Sequence, residues 1–268
     1  MIWLIYFFLN FLYYKMYLIS IPSYNRYNII NTHTLAMLEK HKINSKIIYI
    51  FVANKTEKKK YLETLDKKFH KNLIIGKKGL KNQKNFINKY FEENQDILFI
   101  DDDVKDIYQL ENYNKKNRTS NTKKPLENLH KFILDSFKHI KEHKSFLWGI
   151  YPINNPYFMF DRTTHDLRFI VGPFYGIINR HNKDLVLTID EKEDVERTLK
   201  HFVLDNIVIR FNNICINTVY YKTKGGMNSK DRKLDALKSA KYLNKKYPEL
   251  TKLKLDKKSG YAEVKLIY

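Results

Sequence analysis

The sequence predicts an α/β protein built on a mixed sheet flanked by helices, and three observations carry that reading. Apolar runs of strand length at residues 16–21, 46–52 and 97–100 alternate with segments of helical period. The 268 residues, 43% of them hydrophobic, suffice to bury a large core. A single cysteine, Cys215, removes any disulfide framework or cysteine-based zinc cluster, so no part of the fold depends on oxidising conditions or a cysteine-based metal site. A fibre, a disulfide mini-protein and a wholly disordered chain are thereby excluded.

Taken in order, residues 1–14 are apolar and aromatic apart from Asn10. They lack the basic start and cleavage site of a secretory signal and are shorter than a membrane span. The segment 1–15 is therefore read as a hydrophobic extension or anchor, with membrane contact the less favoured choice. The strand at 16–21 runs into Pro22, which stops its ladder. In residues 82–94, Phe86, Ile87, Tyr90 and Phe91 mark an amphipathic helix, and Leu126, Leu129, Phe132, Ile133, Phe137 and Ile140 mark another behind Pro125.

Residues 111–124 have no apolar period and read as a mobile loop. Further strands are expected at 145–151, 168–179, 206–210 and 214–221, with a short helix carrying Val195, Leu199, Phe202 and Val203 between them. Gly225 and Gly226 form a flexible turn. Ser229 is placed to cap a helix bearing Leu234, Leu237, Ala240 and Leu243, and a hairpin turns near Ser259-Gly260.

The formal charge of +20 invites a polyanionic partner. It comes from 41 Lys and only 8 Arg, which favours diffuse attraction over a dedicated phosphate-reading surface and fits an AT-rich coding sequence. A large virus or phage is an ordinary source for such a sequence.

Ile97-Leu-Phe-Ile-Asp-Asp-Asp-Val104 carries the most chemistry. A buried parallel strand delivers three acids to a sheet edge, where ligands sit in open α/β folds. Adjacent carboxylates raise each other's pKa unless a cation neutralises them, and hard oxygen donors suit Mg²⁺ or Mn²⁺. A second strand end, Pro22-Ser-Tyr-Asn-Arg26, offers hydroxyl, ring, amide and guanidinium groups for a base and phosphate. Asp190-Glu-Lys-Glu-Asp-Val-Glu196 opens a helix, where acids also suit the helix dipole. Trp148, Tyr151 and Gly172-Pro-Phe-Tyr-Gly176 supply aromatic platforms for an acceptor.

In this order, with Val52-Ala-Asn54 after the second strand and Gly79, Asn82 and Asn85 leading into a helix, the chain resembles a GT-A glycosyltransferase of family 2 type. The resemblance covers roughly residues 16–226 and is most similar to the DNA-modifying branch associated with TET/JBP dioxygenases. It implies a GT-A-like, nucleotide-diphospho-sugar transferase fold over residues 16–268, with a nucleotide-sugar half to residue 110 and an acceptor half from 111. It also implies a nucleotide-sugar donor, a UDP-sugar by preference. Pro22, Ser23, Tyr24, Asn25, Arg26, Asn54, Gly79, Asn85, Asp101 and Asp102 are the implied donor-binding residues. Asp101 and Asp103 would take Mn²⁺ or Mg²⁺, Asp103 more directly.

Asp194 would be the catalytic base with Glu193 beside it, while Asp190 and Glu191 stay as rivals. Many members supply a late histidine as a metal ligand. Here none follows His201, so water, His201, His181 or His165 would complete the shell. Lys222, Lys224, Gly225 and Gly226 are placed to close over the diphosphate.

The preferred acceptor is hydroxymethylpyrimidine DNA, with glycan or protein second, and the expected location is intracellular, in a host cytoplasm or virus factory. A metal-dependent nuclease or nucleotidyltransferase and a non-catalytic binding module are the competing readings.

Overall fold

The computed structural model describes residues 16–218, 231–255 and 260–267. Four strands, β1 (Leu18–Pro22), β2 (Ile48–Val52), β3 (Leu73–Ile75) and β4 (Asp96–Ile100), pair in parallel in the order β3-β2-β1-β4. β4 is buried along its whole length, as a parallel strand covered on both faces must be.

The sheet continues through β9 (Phe174–Ile178), β7 (Leu147–Tyr151), β10 (Ile209–Thr218), β5 (Val104–Asn112) and β6 (Thr122–Pro125), while the two-residue β8 (Thr163–Thr164) pairs with β10. β9 runs antiparallel to both β4 and β7, so β4 and β7 point the same way. The expected mixed sheet flanked by helices is present, and it runs without interruption across residue 110.

α1 (Tyr27–Ile30) passes through a π-helical turn, Asn31–Leu35, into α2 (Ala36–Lys40). The other helices are α3 (Lys55–Thr64), α4 (Leu80–Tyr90), α5 (Leu129–Glu142), α6 (Glu193–Asp205) and α7 (Arg232–Lys246). One face of the sheet buries Leu38, Tyr61, Ile133 and Phe137, from α2, α3 and α5, against Ile19, Ile50 and Trp148. The other buries Ile87, Leu199, Phe202 and Leu243, from α4, α6 and α7, against Ile97, Phe99 and Tyr175. The C-terminal hairpin, β11 (Thr251–Lys254) with β12 (Glu263–Leu266), forms as expected.

Four expectations are corrected. Residues 111–124 are not a bare loop: β5 extends to Asn112 and β6 returns antiparallel along it. The turn between them is tied by asparagines, Asn114 Oδ1 accepting the amides of Lys116 and Asn117 and Asn121 Oδ1 that of Asn114, so polar side chains do what an apolar period would otherwise do. The strands expected at 206–210 and 214–221 are one strand, β10, whose register against β7 shifts between Phe211 and Cys215. The strand expected over 168–179 is only Phe174–Ile178.

Trp148 is not an acceptor platform but fully buried, ringed edge-on by Phe132, Phe137, Phe174 and Phe211. Gly176 makes room for it, since a Cβ there would lie 2.1 Å from Trp148 Nε1. Phe174 and Tyr175 are core residues too.

Residues 1–15 and the readings placed on Lys222, Lys224, Gly225, Gly226, Ser229 and Ser259 lie outside the described residues. Among the described residues no helix is long and apolar enough to cross a membrane.

Candidate active site

Because β1 to β4 are parallel, their carboxyl ends share one sheet edge, and with them the segments 22–26, 53–54, 76–79 and 101–103. The three acids follow β4 directly. Their turn is held by Thr34 in the π-helical turn, whose hydroxyl donates to the Asp101 carbonyl at 2.7 Å and accepts the Val104 amide at 3.0 Å. A π-turn at a ligand-binding edge is a common association. Asp102 is buried and accepts from Ser23 Oγ at 2.5 Å and Arg26 Nη1 at 2.9 Å, and the same Nη1 reaches Asp103 at 3.0 Å.

The first strand end is itself fastened from α3. Tyr61 Oη lies 2.6 Å from Ser23 Oγ and accepts the Arg26 amide at 3.1 Å, while Glu57 accepts the amide of Asn25, whose φ of 56° lies in the left-handed region. Pro22 ends β1 opposite Phe51. Tyr24 is left exposed, with Lys78 Nζ 5.9 Å from its ring.

Asn54 caps α3 by accepting the Glu57 amide at 2.9 Å. Asn85 clamps Leu187, donating to its carbonyl and accepting its amide, both at 2.9 Å. Gly79, at φ +92°, starts α4, and Asp190 accepts the Lys81 amide there at 2.9 Å. Of the residues named from the sequence on this side, Ser23, Arg26, Asp102 and Asp103 are in direct contact, and Tyr24 is exposed next to Ser23 in the chain. Asn54 and Asn85 spend their side chains on the backbone.

The acidic run at 190–196 separates into distinct environments. Asp190 caps α4, and Glu191 bonds Arg232 Nε at 2.6 Å. Glu196 accepts the amides of Thr188 and Ile189. Glu193 is buried between Lys84 Nζ at 2.6 Å and Arg197 Nη1 at 2.9 Å. Asp194 is half-buried, and among the described residues its carboxylate accepts only the amide of Val195, at 2.9 Å.

Gly172 lies against Asp194: a Cβ there would sit 3.6 Å from Asp194 Oδ2 and 3.2 Å from Glu193 Oε1. The next residue, Pro173, accepts the Asp101 amide at 3.0 Å. One dipeptide thus joins the acids after β4 to the acids that open α6. Lys84, Arg197, Thr34, Glu57 and Tyr61 were not singled out in the sequence. A buried Lys at the second turn of an amphipathic helix was the only available sign, and only for Lys84.

Electrostatics divide the acids further. Burial pushes Asp101 up to about 6, with Lys84 opposing it and Asp103 and Glu193 adding to it. Burial also pushes Asp102 up to about 6 against the pull of Arg26 and Ser23. Asp103 is raised by burial and by Asp102, and Asp194 by burial and by Glu193. Burial would raise Glu193 as well, but Lys84 and Arg197 overcome it and hold this carboxyl low.

Around Tyr151, which is half-buried, three arginines and a phenylalanine gather. Arg210 lies 5.2 Å from the Tyr151 ring, and Arg118 and Arg162 lie 4.5 and 5.4 Å from the Phe160 ring. Tyr157 and Phe158 are exposed nearby in sequence.

None of the late histidines stands at the acids. His201 bonds Arg180 and lies 3.6 Å from Asp205, and His181 bonds the carbonyls of Asn88 and Phe91. His165 meets His139 at 2.8 Å.

No protein-family model matches the chain, and no curated protein matches it. Among solved structures, the chain is similar to a crystal structure of residues 1–349 of S. aureus TarS. The TM-score is 0.47 and the identity 17%, over 87% of this chain and 72% of that one.

Proposed function

We propose that the chain is a GT-A-type glycosyltransferase, moving a sugar from a nucleotide-sugar, by preference a UDP-sugar, to an acceptor hydroxyl. The observation that carries this reading is the convergence, through Gly172-Pro173, of the Asp101–Asp103 acids with Asp194 at the carboxyl edge of the parallel strands. Tyr24 is exposed and would stack on the base, and Lys78 beside it would meet the phosphates.

A divalent metal suits the donor chemistry. Asp101 and Asp103 are hard carboxylates raised by burial and by neighbouring acids, the state that a cation relieves. When bound, Mn²⁺ or Mg²⁺ would neutralise charge developing on the leaving diphosphate. Asp103 and Asp101 are the residues that would hold it. Arg26 steadies Asp102 and Asp103 through one nitrogen, and Ser23 fixes Asp102 from the other side.

Asp194 accepts the proton of the attacking hydroxyl in this reading, since it alone of the acids in the run 190–196 has no ion pair within 4 Å among the described residues. Glu193 is a positioning residue, tied to Lys84 and Arg197.

The finer reading, a TET/JBP-associated enzyme acting inside the cell on hydroxymethylpyrimidine DNA, is supported by motif order and by the arginines grouped around Phe160. A glycan or protein acceptor is the alternative.

The test is release of nucleoside diphosphate from a panel of nucleotide-sugars with Mn²⁺ or Mg²⁺, with and without hydroxymethylated DNA. Metal-dependent release lost in Asp103→Ala is expected, and stimulation by the DNA would place the acceptor. DNA cleavage by the same preparation, with no nucleotide-sugar turnover, would replace the transferase by a nuclease.

A further inference from the structure

His139 and His143 stand one turn apart at the end of α5, on the same helix face. His165 follows β8, whose pairing of Thr163 with Phe211 and Thr164 with Arg210 brings it to them. The ligand atoms of all three imidazoles lie within 4.8 Å of one another. His139 Nε2 is 2.8 Å from His165 Nε2, and the ring centroids are 4.2 to 5.1 Å apart. Two ring nitrogens meeting head-on must share a proton or a cation.

His143 Nδ1 sits 2.9 Å from the His139 carbonyl. An Nδ1–H donated to that carbonyl leaves the His143 Nε2 lone pair free, the arrangement that orients metal-ligating histidines.

The cluster is remote from the acids. α5 leads into β7, so its end lies at the amino edge of a strand parallel to β4, while Asp101–Asp103 follow the carboxyl edge. We propose that His139, His143 and His165 form a binding site for a divalent transition metal of the zinc class, joining the connection between β7 and β9 to α5. Three imidazole nitrogens select Zn²⁺ or Co²⁺ over the Mn²⁺ or Mg²⁺ suited to carboxylates, and leave a fourth position for water. The site is independent of the transferase reading.

The experiment uses the chain without a polyhistidine tag, stripped with chelator and titrated with Co²⁺ and Zn²⁺. One Co²⁺ per chain with a visible d–d band is expected, displaced by Zn²⁺, and Zn²⁺ should raise the melting temperature. His143→Ala and His165→Ala, both at exposed positions, should each weaken binding at least ~10-fold, with unchanged circular dichroism. Asp103→Ala should bind Co²⁺ like the parent. Absence of the Co²⁺ band, or binding unaltered in the doubly substituted chain, would overturn the site and leave three surface histidines sharing a proton.

Discussion

Replacing Glu193 by Gln would leave Lys84 and Arg197 buried with one fewer anion between them, and the loss of a charge from such a cluster costs roughly 3–5 kcal/mol. Chemical denaturation of Glu193→Gln should show a loss of that order. Asp194→Asn, one residue along, should leave stability nearly unchanged and lower kcat by roughly 10²–10⁴ with little change in the donor KM. Equal effects in the two variants would erase the division of labour.

The pH dependence follows from the same geometry. Burial and Glu193 raise Asp194 above its ordinary 3.8, so the base form disappears as pH falls through a value higher than that. The log of kcat/KM should show an acid limb of unit slope with its midpoint above 3.8. Individual roles of this kind were illegible in the string of acids, because sequence places Asp190, Glu191, Glu193 and Asp194 in one run. Their partners Lys81, Arg232, Lys84 and Arg197 are chosen by the packing of α4, α6 and α7. The position of Asp101–Asp103 at the end of a buried parallel strand was legible, because four apolar residues run straight into the three acids.

At the scale of elements, the glycines in the central strands set how closely rings approach. A Cβ on Gly176 would meet Trp148 at 2.1 Å, and one on Gly149 would meet Ile170 Cγ2 at 2.5 Å. Neither neighbour has free space, so Gly176→Ala and Gly149→Ala should each cost about 1–3 kcal/mol or more by overpacking, read as a lower urea midpoint with an unchanged m-value.

α6 has its own acid sensitivity. Burial lowers His201 from 6.5 to about 4 despite the nearby Asp205. Between those values the unfolded chain takes up a proton that the folded chain does not, so stability falls as pH drops from 6.5 towards 4. The loss is of order 2–3 kcal/mol, and His201→Gln should remove that part of the pH slope in unfolding titrations at pH 7 and pH 5.

The helices α4 and α5 were readable from their apolar period because each buries one stripe on the sheet, whereas α6 is buried nearly all round from Val195 to Phe202 with Val203 exposed, and α7 buries Ala236, Ser239, Ala240 and Leu243 and leaves Leu234 exposed. β6 was not readable, since an edge strand of Thr-Lys-Lys-Pro buries little and forms because Asn114 and Asn121 close the turn. Trp148 was misread because aromatic-next-to-glycine describes an exposed platform and a tight core equally well.

For the whole molecule, the charge of +20 is mostly lysine spread over the surface, and lysine alone gives diffuse, salt-sensitive attraction. The fold adds something that composition did not display, since Arg118 and Arg210 are drawn from distant stretches to join Arg162 at Phe160 and Tyr151, three of the eight arginines. Guanidinium groups on aromatic faces suit phosphate and stacked bases together, and Tyr157 and Phe158 add exposed rings on the same connection.

If hydroxymethylated DNA is the acceptor, its apparent affinity should fall linearly on a log–log plot against salt, with a slope of about −0.7 to −0.9 per phosphate contacted. Arg118→Ala with Arg162→Ala should weaken DNA stimulation and flatten that slope by about two contacts, while nucleotide-sugar hydrolysis without DNA stays at the parent rate. A double substitution of two exposed lysines on α3, Lys59 and Lys60, should change the slope much less. If the lysine and arginine pairs alter the slope equally, the DNA reaches the enzyme through overall charge alone. If neither changes it, a neutral glycan or a protein becomes the better acceptor for the same edge of acids.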